Sequence, residues 1–277
     1  MARKIPGSIA VAMPARRKQS GRRQYQSVTF KQLDDDSDQL ARALRQLGVQ
    51  NGTRIALLVR PSIDFIALVF ALLKSGAVAI LIDAGMGRAN LIDCLSDAAP
   101  EGMVGIPPAH VARILFRRRF AKCKLLVTVG RRWCWGGVTL DELRQRRGPH
   151  SPLPRMNATD EAAIIFTTGS TGPPKGVLYS HGVFDRQVTE IRDQYNIQPG
   201  EIDLPGFPLF GLFNCAMGVT TVIPDMDPTR PAWIDPKLFV EAIHDWQVTQ
   251  SFGSPAIWNR VGAYCQQERI ELPTLKR

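Results

Sequence analysis

The chain has 277 residues, 44% hydrophobic and 8% aromatic, which is enough apolar material for a packed core and excludes a disordered chain. Its net charge of +10 is uneven: residues 1–150 carry 25 Lys/Arg against 11 Asp/Glu, and residues 151–277 carry 10 against 14. The longest apolar run, Phe65 to Leu73, stops at Lys74, far short of a bilayer span, and five cysteines without C-x-x-C spacing fit reduced thiols in a cytoplasmic protein better than a disulfide scaffold.

Residues 1–27 are basic and lack a hydrophobic period, so a flexible arm is expected there. Arg3 and Lys4 imitate the start of a leader, but Pro6 and Gly7 interrupt the apolar stretch behind them, and secretion is not expected. Leu33, Leu40, Ala43, Leu44 and Leu47 recur at helical spacing, with Gly48 placed to end the helix. Ile55 to Val59 reads as a strand covered on both faces, Pro61-Ser62 opens a helix over Ile63 to Lys74, and Val78 to Ile82 is the next strand. That order predicts a parallel βαβ unit, with a second copy through Leu91 to Ala98, Val104 to Ile106, Val111 to Phe116 and Leu125 to Val129. The Gly/Pro-rich loop Arg144 to Asn157 is the best internal boundary, giving a first α/β subdomain over 28–147 and a second over 158–277. Helices are expected at Val183 to Tyr195, Pro236 to Trp246 and Pro255 to Gln267, with a short strand at Thr249 to Phe252. Leu204 to Val222, with aromatics and glycines interleaved, favours close backbone approach and a pocket wall over a regular stripe.

The most informative stretch is Ile164 to Gly176, an apolar strand running into Thr167-Thr168-Gly169-Ser170-Thr171-Gly172 and then Pro173-Pro174-Lys175-Gly176. The glycines let backbone N–H groups converge, the hydroxyls add donors, and Lys175 adds a mobile positive charge, a combination suited to phosphate. It is not a Walker A loop, because two prolines precede the lysine and Val177-Leu178-Tyr179 reads as a second strand, which predicts a hairpin.

Followed by Tyr179-Ser180-His181-Gly182, this loop resembles the phosphate loop of the adenylate-forming superfamily. Val28-Thr29-Phe30-Lys31-Gln32-Leu33 and Leu72 to Asp83 resemble two of that family's scaffold signatures, so the resemblance spans nearly the whole chain. Three further strings resemble the branch that makes β-lactones in bacterial olefin biosynthesis: Val129 to Arg132 with Trp135-Gly136-Gly137, Ile106 to Arg113, and Val222 to Ala232. The resemblance implies an α/β fold of layered sheets flanked by helices, the N-terminal portion of the family's large domain. It implies ATP with Mg2+, held by Thr167, Thr168, Gly169, Ser170, Thr171, Gly172 and Lys175, with Lys175 as the catalytic group. Phe207, Phe210, Asn214, Gly253 and Ser254 fall where the family builds its acyl pocket. His181 either lines the nucleotide site or caps the following helix, and no residues are assigned to a metal.

The implied reaction is activation of a long-chain β-hydroxy fatty acid as its acyl-adenylate, with closure to a β-lactone and release of AMP and pyrophosphate. Many acyl-CoA synthetases of the family have histidine where this chain has Gly211, which makes CoA ligation the second reading; a non-catalytic acyl- or nucleotide-binding remnant is the third. The family's adenine, ribose and lid motifs lie beyond the position matching Arg277, so the C-terminal lid domain is expected to be absent and the 277-residue chain inactive alone. Implied partners are the fatty acid and proteins of a hydrocarbon-forming assembly. Self-association and peripheral membrane contact are further expectations, the latter because the basic clusters suit anionic lipid or an acidic partner. Nucleic acid is not expected, since no aromatic ladder, zinc spacing or helix-turn-helix accompanies the clusters.

Overall fold

The computed structural model describes residues 1–15, 23–82, 86–146, 152–167, 174–207 and 209–277, with the side chains of Arg88, Ala89 and Thr167 excepted. In chain order its elements are β1 (Ile9–Pro14), β2 (Tyr25–Thr29), α1 (Phe30–Gln46), β3 (Arg54–Leu58), α2 (Ile63–Ser75), β4 (Val78–Ile82), α3 (Arg88–Asp97), β5 (Gly102–Gly105), α4 (Pro107–Leu115) and β6 (Leu125–Thr128). These are followed by β7 (Val138–Thr139), α5 (Leu140–Gln145), β8 (Glu161–Thr167), β9 (Lys175–Ser180), α6 (His181–Gln194), β10 (Ile202–Asp203), α7 (Phe210–Met217), β11 (Thr220–Val222), α8 (Pro236–Trp246) and α9 (Pro255–Glu268). The chain divides into two compact units, residues 35–60 with 67–186 and residues 1–34 with 61–66 and 187–277.

The first unit holds a seven-stranded sheet in the order β7-β6-β5-β3-β4-β8-β9. Every neighbouring pair is parallel except β8 and β9. β3 and β4 are continuous apolar runs because they are covered on both faces; Ile55, Ala56, Val78, Ala79 and Ile80 are fully or almost fully buried. A core of Val78, Ile80, Leu95, Met103, Ile164 and Phe166 packs against the sheet. The phosphate hairpin therefore belongs to the same sheet as the first βαβ unit, and the expected boundary at Arg144 to Asn157 does not separate them. A turn-rich loop marks a surface crossing, and a chain that crosses the surface can return to the sheet it left.

The second unit holds a four-stranded sheet in the order β10-β11-β1-β2. Here the structure corrects the expected arm over 1–27: β1 is an inner strand, parallel to β11 through Val11↔Thr221 and antiparallel to β2, and Ala10, Val11 and Ala12 are fully buried. Past residues 16–22, Arg23 pairs with Asp225 and Glu241, and the Tyr25 hydroxyl donates to Asp245 at 2.9 Å. At the start of α1, Thr29 Oγ1 accepts from the Gln32 N–H at 3.2 Å while Gln32 Oε1 accepts from the Thr29 N–H at 2.9 Å. That reciprocal cap is the physical content of the Val28 to Leu33 string. The core of this unit is Leu204, Val222, Phe239, Ile243, Val248 and Ile257 with their neighbours. The strand expected at Thr249 to Phe252 is a single bridge, Asp203↔Gln250.

Candidate active site

β8 and β9 form the antiparallel hairpin that the sequence predicts, in the register Ile165↔Val177, Phe166↔Gly176 and Thr167↔Lys175. β8 is fixed on its other edge by β4, so the mouth of the hairpin is held by a strand inside the sheet. A Cβ on Gly176 would lie 3.0 Å from Phe166 Cζ and 3.1 Å from Ile164 Cγ2, tighter than ordinary packing, so glycine lets the Phe166 ring cross the partner strand beside Lys175. Lys175 is solvent-exposed and makes no ion pair among the described residues, leaving its ammonium available to an anion. Thr168, Gly169, Ser170, Thr171 and Gly172 lie outside the described residues, and of Thr167 only the backbone is described.

His181 sits at the other end of β9, about 20 Å along the strand from Lys175. Its N–H donates to the Asp160 carbonyl at 3.0 Å, and Ser180 Oγ accepts from the Val183 N–H at 3.3 Å to cap α6. Burial lowers the His181 pKa, opposed by Asp160, and Nε2 is buried without a hydrogen bond.

The expected acyl-pocket residues belong to the other unit and gather around one aromatic cluster. The Phe210 ring, at the start of α7, lies 4.3 Å from Phe252, 5.8 Å from Phe207 and 6.2 Å from Phe213, centroid to centroid. Phe207 and Phe252 are 41% and 57% exposed, so these rings present an open apolar face. The backbones beneath cross closely: the Gly206 N–H donates to the Phe252 carbonyl at 2.7 Å, and a Cβ on Gly206 would lie 3.2 Å from Gly253 Cα. Ser254 stands at the head of α9 without capping it, its buried Oγ unbonded. Asn214 is 2% exposed and donates through Nδ2 to Asp203 Oδ2 at 2.6 Å, so its amide is committed to a neighbouring strand. Asp203, which sequence reasoning missed, has its carboxyl pushed up to about 7 by burial, against the opposing hydrogen bond from Asn214. The signal was present: a lone acid between Ile202 and Leu204, inside an apolar stretch, needs a buried partner.

Within the same unit lies a small, partly open apolar cavity lined by Phe65, Ile66, Gly206, Ile223, Met226 and Pro228, among others. Three of these come from the Val222 to Ala232 string, which gives that string a structural role: it walls a cavity. Gly211 packs nearby, where a Cβ would be 3.1 Å from Thr221 Cγ2 and 3.4 Å from Ile66 Cδ1. A histidine there would need its neighbours to move.

The other two branch strings pack on each other in the first unit. His110 of α4 is fully buried, its ring stacks on Trp135 at 5.4 Å and 12°, and its Nε2 lies 3.1 Å from the Val127 carbonyl. Burial lowers the His110 pKa, opposed by the hydrogen bond to the Val127 carbonyl. Trp135 Nε1 donates to Thr128 Oγ1 at 2.9 Å. Gly137, at φ +75°, brings its turn so near β6 that a Cβ would be 2.4 Å from the Leu126 carbonyl oxygen.

Among the described residues no group of three or more His, Cys, Asp or Glu is placed to hold a metal ion, and no helix is long and apolar enough to cross a membrane. The model of the AMP-binding enzyme family matches residues 2–277. The chain is 45% identical over 268 residues to an olefin beta-lactone synthetase of Xanthomonas campestris pv. campestris, covering 96% of this chain and 48% of that protein. To an olefin beta-lactone synthetase of Stenotrophomonas maltophilia it is 44% identical over 280 residues, covering 100% and 50%. It thus spans about half the length of these relatives. Its fold is that of a long-chain-fatty-acid-CoA ligase from Archaeoglobus fulgidus, with TM-score 0.81 at 19% identity, covering 99% of this chain and 54% of that one.

Proposed function

Because the chain belongs to the AMP-binding enzyme family, we propose that the protein takes part in ATP-dependent activation of a long-chain β-hydroxy fatty acid and its closure to a β-lactone. The observation that carries the β-lactone reading is the 44–45% identity to two olefin beta-lactone synthetases across nearly the whole chain. The packing of all three branch strings into the fold supports it, as does Gly211, whose crowded surroundings disfavour the histidine of the CoA-ligating pattern.

In this reading Thr167 to Gly172 and Lys175 hold the β- and γ-phosphates of ATP, and Mg2+ that arrives with the nucleotide neutralises part of its charge. The exposed Lys175 ammonium, held in register by Gly176 and Phe166, suits that role. The substrate carboxylate oxygen attacks the α-phosphorus and pyrophosphate leaves. The β-hydroxyl oxygen of the same substrate then attacks the acyl carbonyl, losing its proton, and AMP departs with the former carboxylate oxygen. No external thiol is needed. Stabilising charge on the departing phosphates and holding the hydroxyl near the carbonyl are the protein's two tasks, and each is worth several kcal/mol. The acyl chain lies along the Phe207, Phe210 and Phe252 face, with the small apolar cavity beside Gly206 at one end of it. Asn214 and Asp203 position α7 beneath that face.

The test uses the longest product the gene encodes, incubated with ATP, Mg2+ and a long-chain 3-hydroxy acid, with and without CoA. AMP, pyrophosphate and a β-lactone without CoA are expected. A thioester formed only when CoA is present would replace this reading with CoA ligation, and nucleotide binding without turnover would reduce it to a binding role.

A further inference from the structure

The geometry points to a membrane-docking surface at the end of α4, independent of the proposed reaction, whose partner is the interface of an anionic bilayer. α4 ends at Leu115, and Ile114, Leu115 and Phe116 are 44%, 74% and 43% exposed in succession. Scattered exposed apolar residues mean little; three consecutive bulky ones form a patch that invites an apolar phase. The segment is held in place, since Phe120 and Cys123, each 4% exposed, plug into the core just beyond it, and the Arg119 N–H bonds back to the Phe116 carbonyl at 2.9 Å. The patch is thus a fixed surface between the helix and two buried anchors.

Cations surround it. Arg117, Arg118, Lys122 and Lys124 are exposed and make no ion pair among the described residues, while Arg119 pairs with Asp93. From Gly102 to Leu140 the chain contains no acidic residue. Trp133, 59% exposed, lies 5.3 Å from Trp135 with the rings tilted by 41°, and Trp135 in turn stacks on His110 of α4. Apolar tips with an aromatic ring and flanking Lys/Arg match the layering of a bilayer interface, where acyl tails lie under anionic headgroups. A nucleic acid backbone would use the cations but offers nothing to Ile114 and Leu115.

The test is flotation of the purified protein with vesicles of phosphatidylcholine alone or mixed with phosphatidylglycerol. Binding to the mixed vesicles and weak binding to neutral ones are expected, with most of it lost at about 0.5 M salt, where screening shortens to a few ångströms. The pair Arg117→Ala/Arg118→Ala should weaken binding about thirty-fold, and Leu115→Ser/Phe116→Ser about ten-fold, with circular dichroism unchanged because these residues are exposed. The tryptophan emission shift on adding vesicles should shrink in Trp133→Phe. Absence of binding to mixed vesicles, equal binding to both kinds, or binding insensitive to both pairs overturns the proposal. So does variant-sensitive binding to RNA or to an acidic protein in the absence of vesicle binding.

Discussion

Raising the pH should loosen the second unit through one side chain, Asp203. Its carboxyl is 3% exposed and burial lifts its pKa from 3.8 to about 7, so the folded chain keeps a proton that the unfolded chain releases near pH 4. Stability from this group is therefore fully present below pH 4 and is lost as the pH rises through about 7. A shift of about three units corresponds to about 4 kcal/mol between those limits, an order-of-magnitude value for a buried group. Asn214 favours the ionised form through its 2.6 Å hydrogen bond, so Asn214→Ala should move the window to higher pH. Urea unfolding followed by tryptophan emission at pH 5 and pH 8 gives the test. The wild-type midpoint should fall relative to that of Asp203→Asn between the two conditions. Parallel pH dependence of wild type and Asp203→Asn would refute the reasoning.

Three further outcomes test the site, each in the longest product of the gene. Lys175→Met should lower ATP-dependent AMP formation by about 10²–10³-fold, the usual loss for a charge-stabilising donor, with folding intact because Lys175 is exposed; near-wild-type turnover would remove it from the phosphate grip. Gly211→His should cost about 1–3 kcal/mol of stability by overpacking against Thr221 and Ile66, seen as a lower thermal midpoint and no gain of thioester formation; an unchanged midpoint would refute the packing argument. Met226→Trp should shorten the preferred acid, cutting kcat/KM for the longest chain by about ten-fold or more while sparing short ones; a uniform loss across chain lengths would separate the cavity from the acyl site.

Where local chemistry decides the structure, the sequence was readable. Pro236 to Trp246 is a helix as expected because Asp235 caps it through the Lys237 N–H at 3.0 Å and Pro236 occupies its first turn. β4 could be read from an uninterrupted apolar run, and the hairpin from the prolines and glycine around Lys175. Pairings across long separations were not readable. β1 meets β11 at Val11↔Thr221, and nothing near residue 11 announces a partner so far along the chain. The two units interleave in sequence, which defeats any single boundary. The same holds at the site: Phe210 and Phe252 meet because Gly206 crosses beneath Phe252, and the cavity wall is drawn from separate segments around Phe65, Gly206 and Met226. His110 is buried because Trp135 closes over it, a contact that its place in the chain does not announce.

Activation of a β-hydroxy acid at its carboxylate by ATP, and its closure on itself, can be followed by one isotope. A long-chain 3-hydroxy acid labelled with oxygen-18 in both carboxylate positions is turned over with ATP, and AMP and the lipid product are weighed by mass spectrometry. One heavy oxygen is expected in AMP and one in a β-lactone, because the bridging carboxylate oxygen leaves with the phosphate when the hydroxyl attacks. Unlabelled AMP, labelled phosphate with ADP, or a lipid product retaining both heavy oxygens would contradict it.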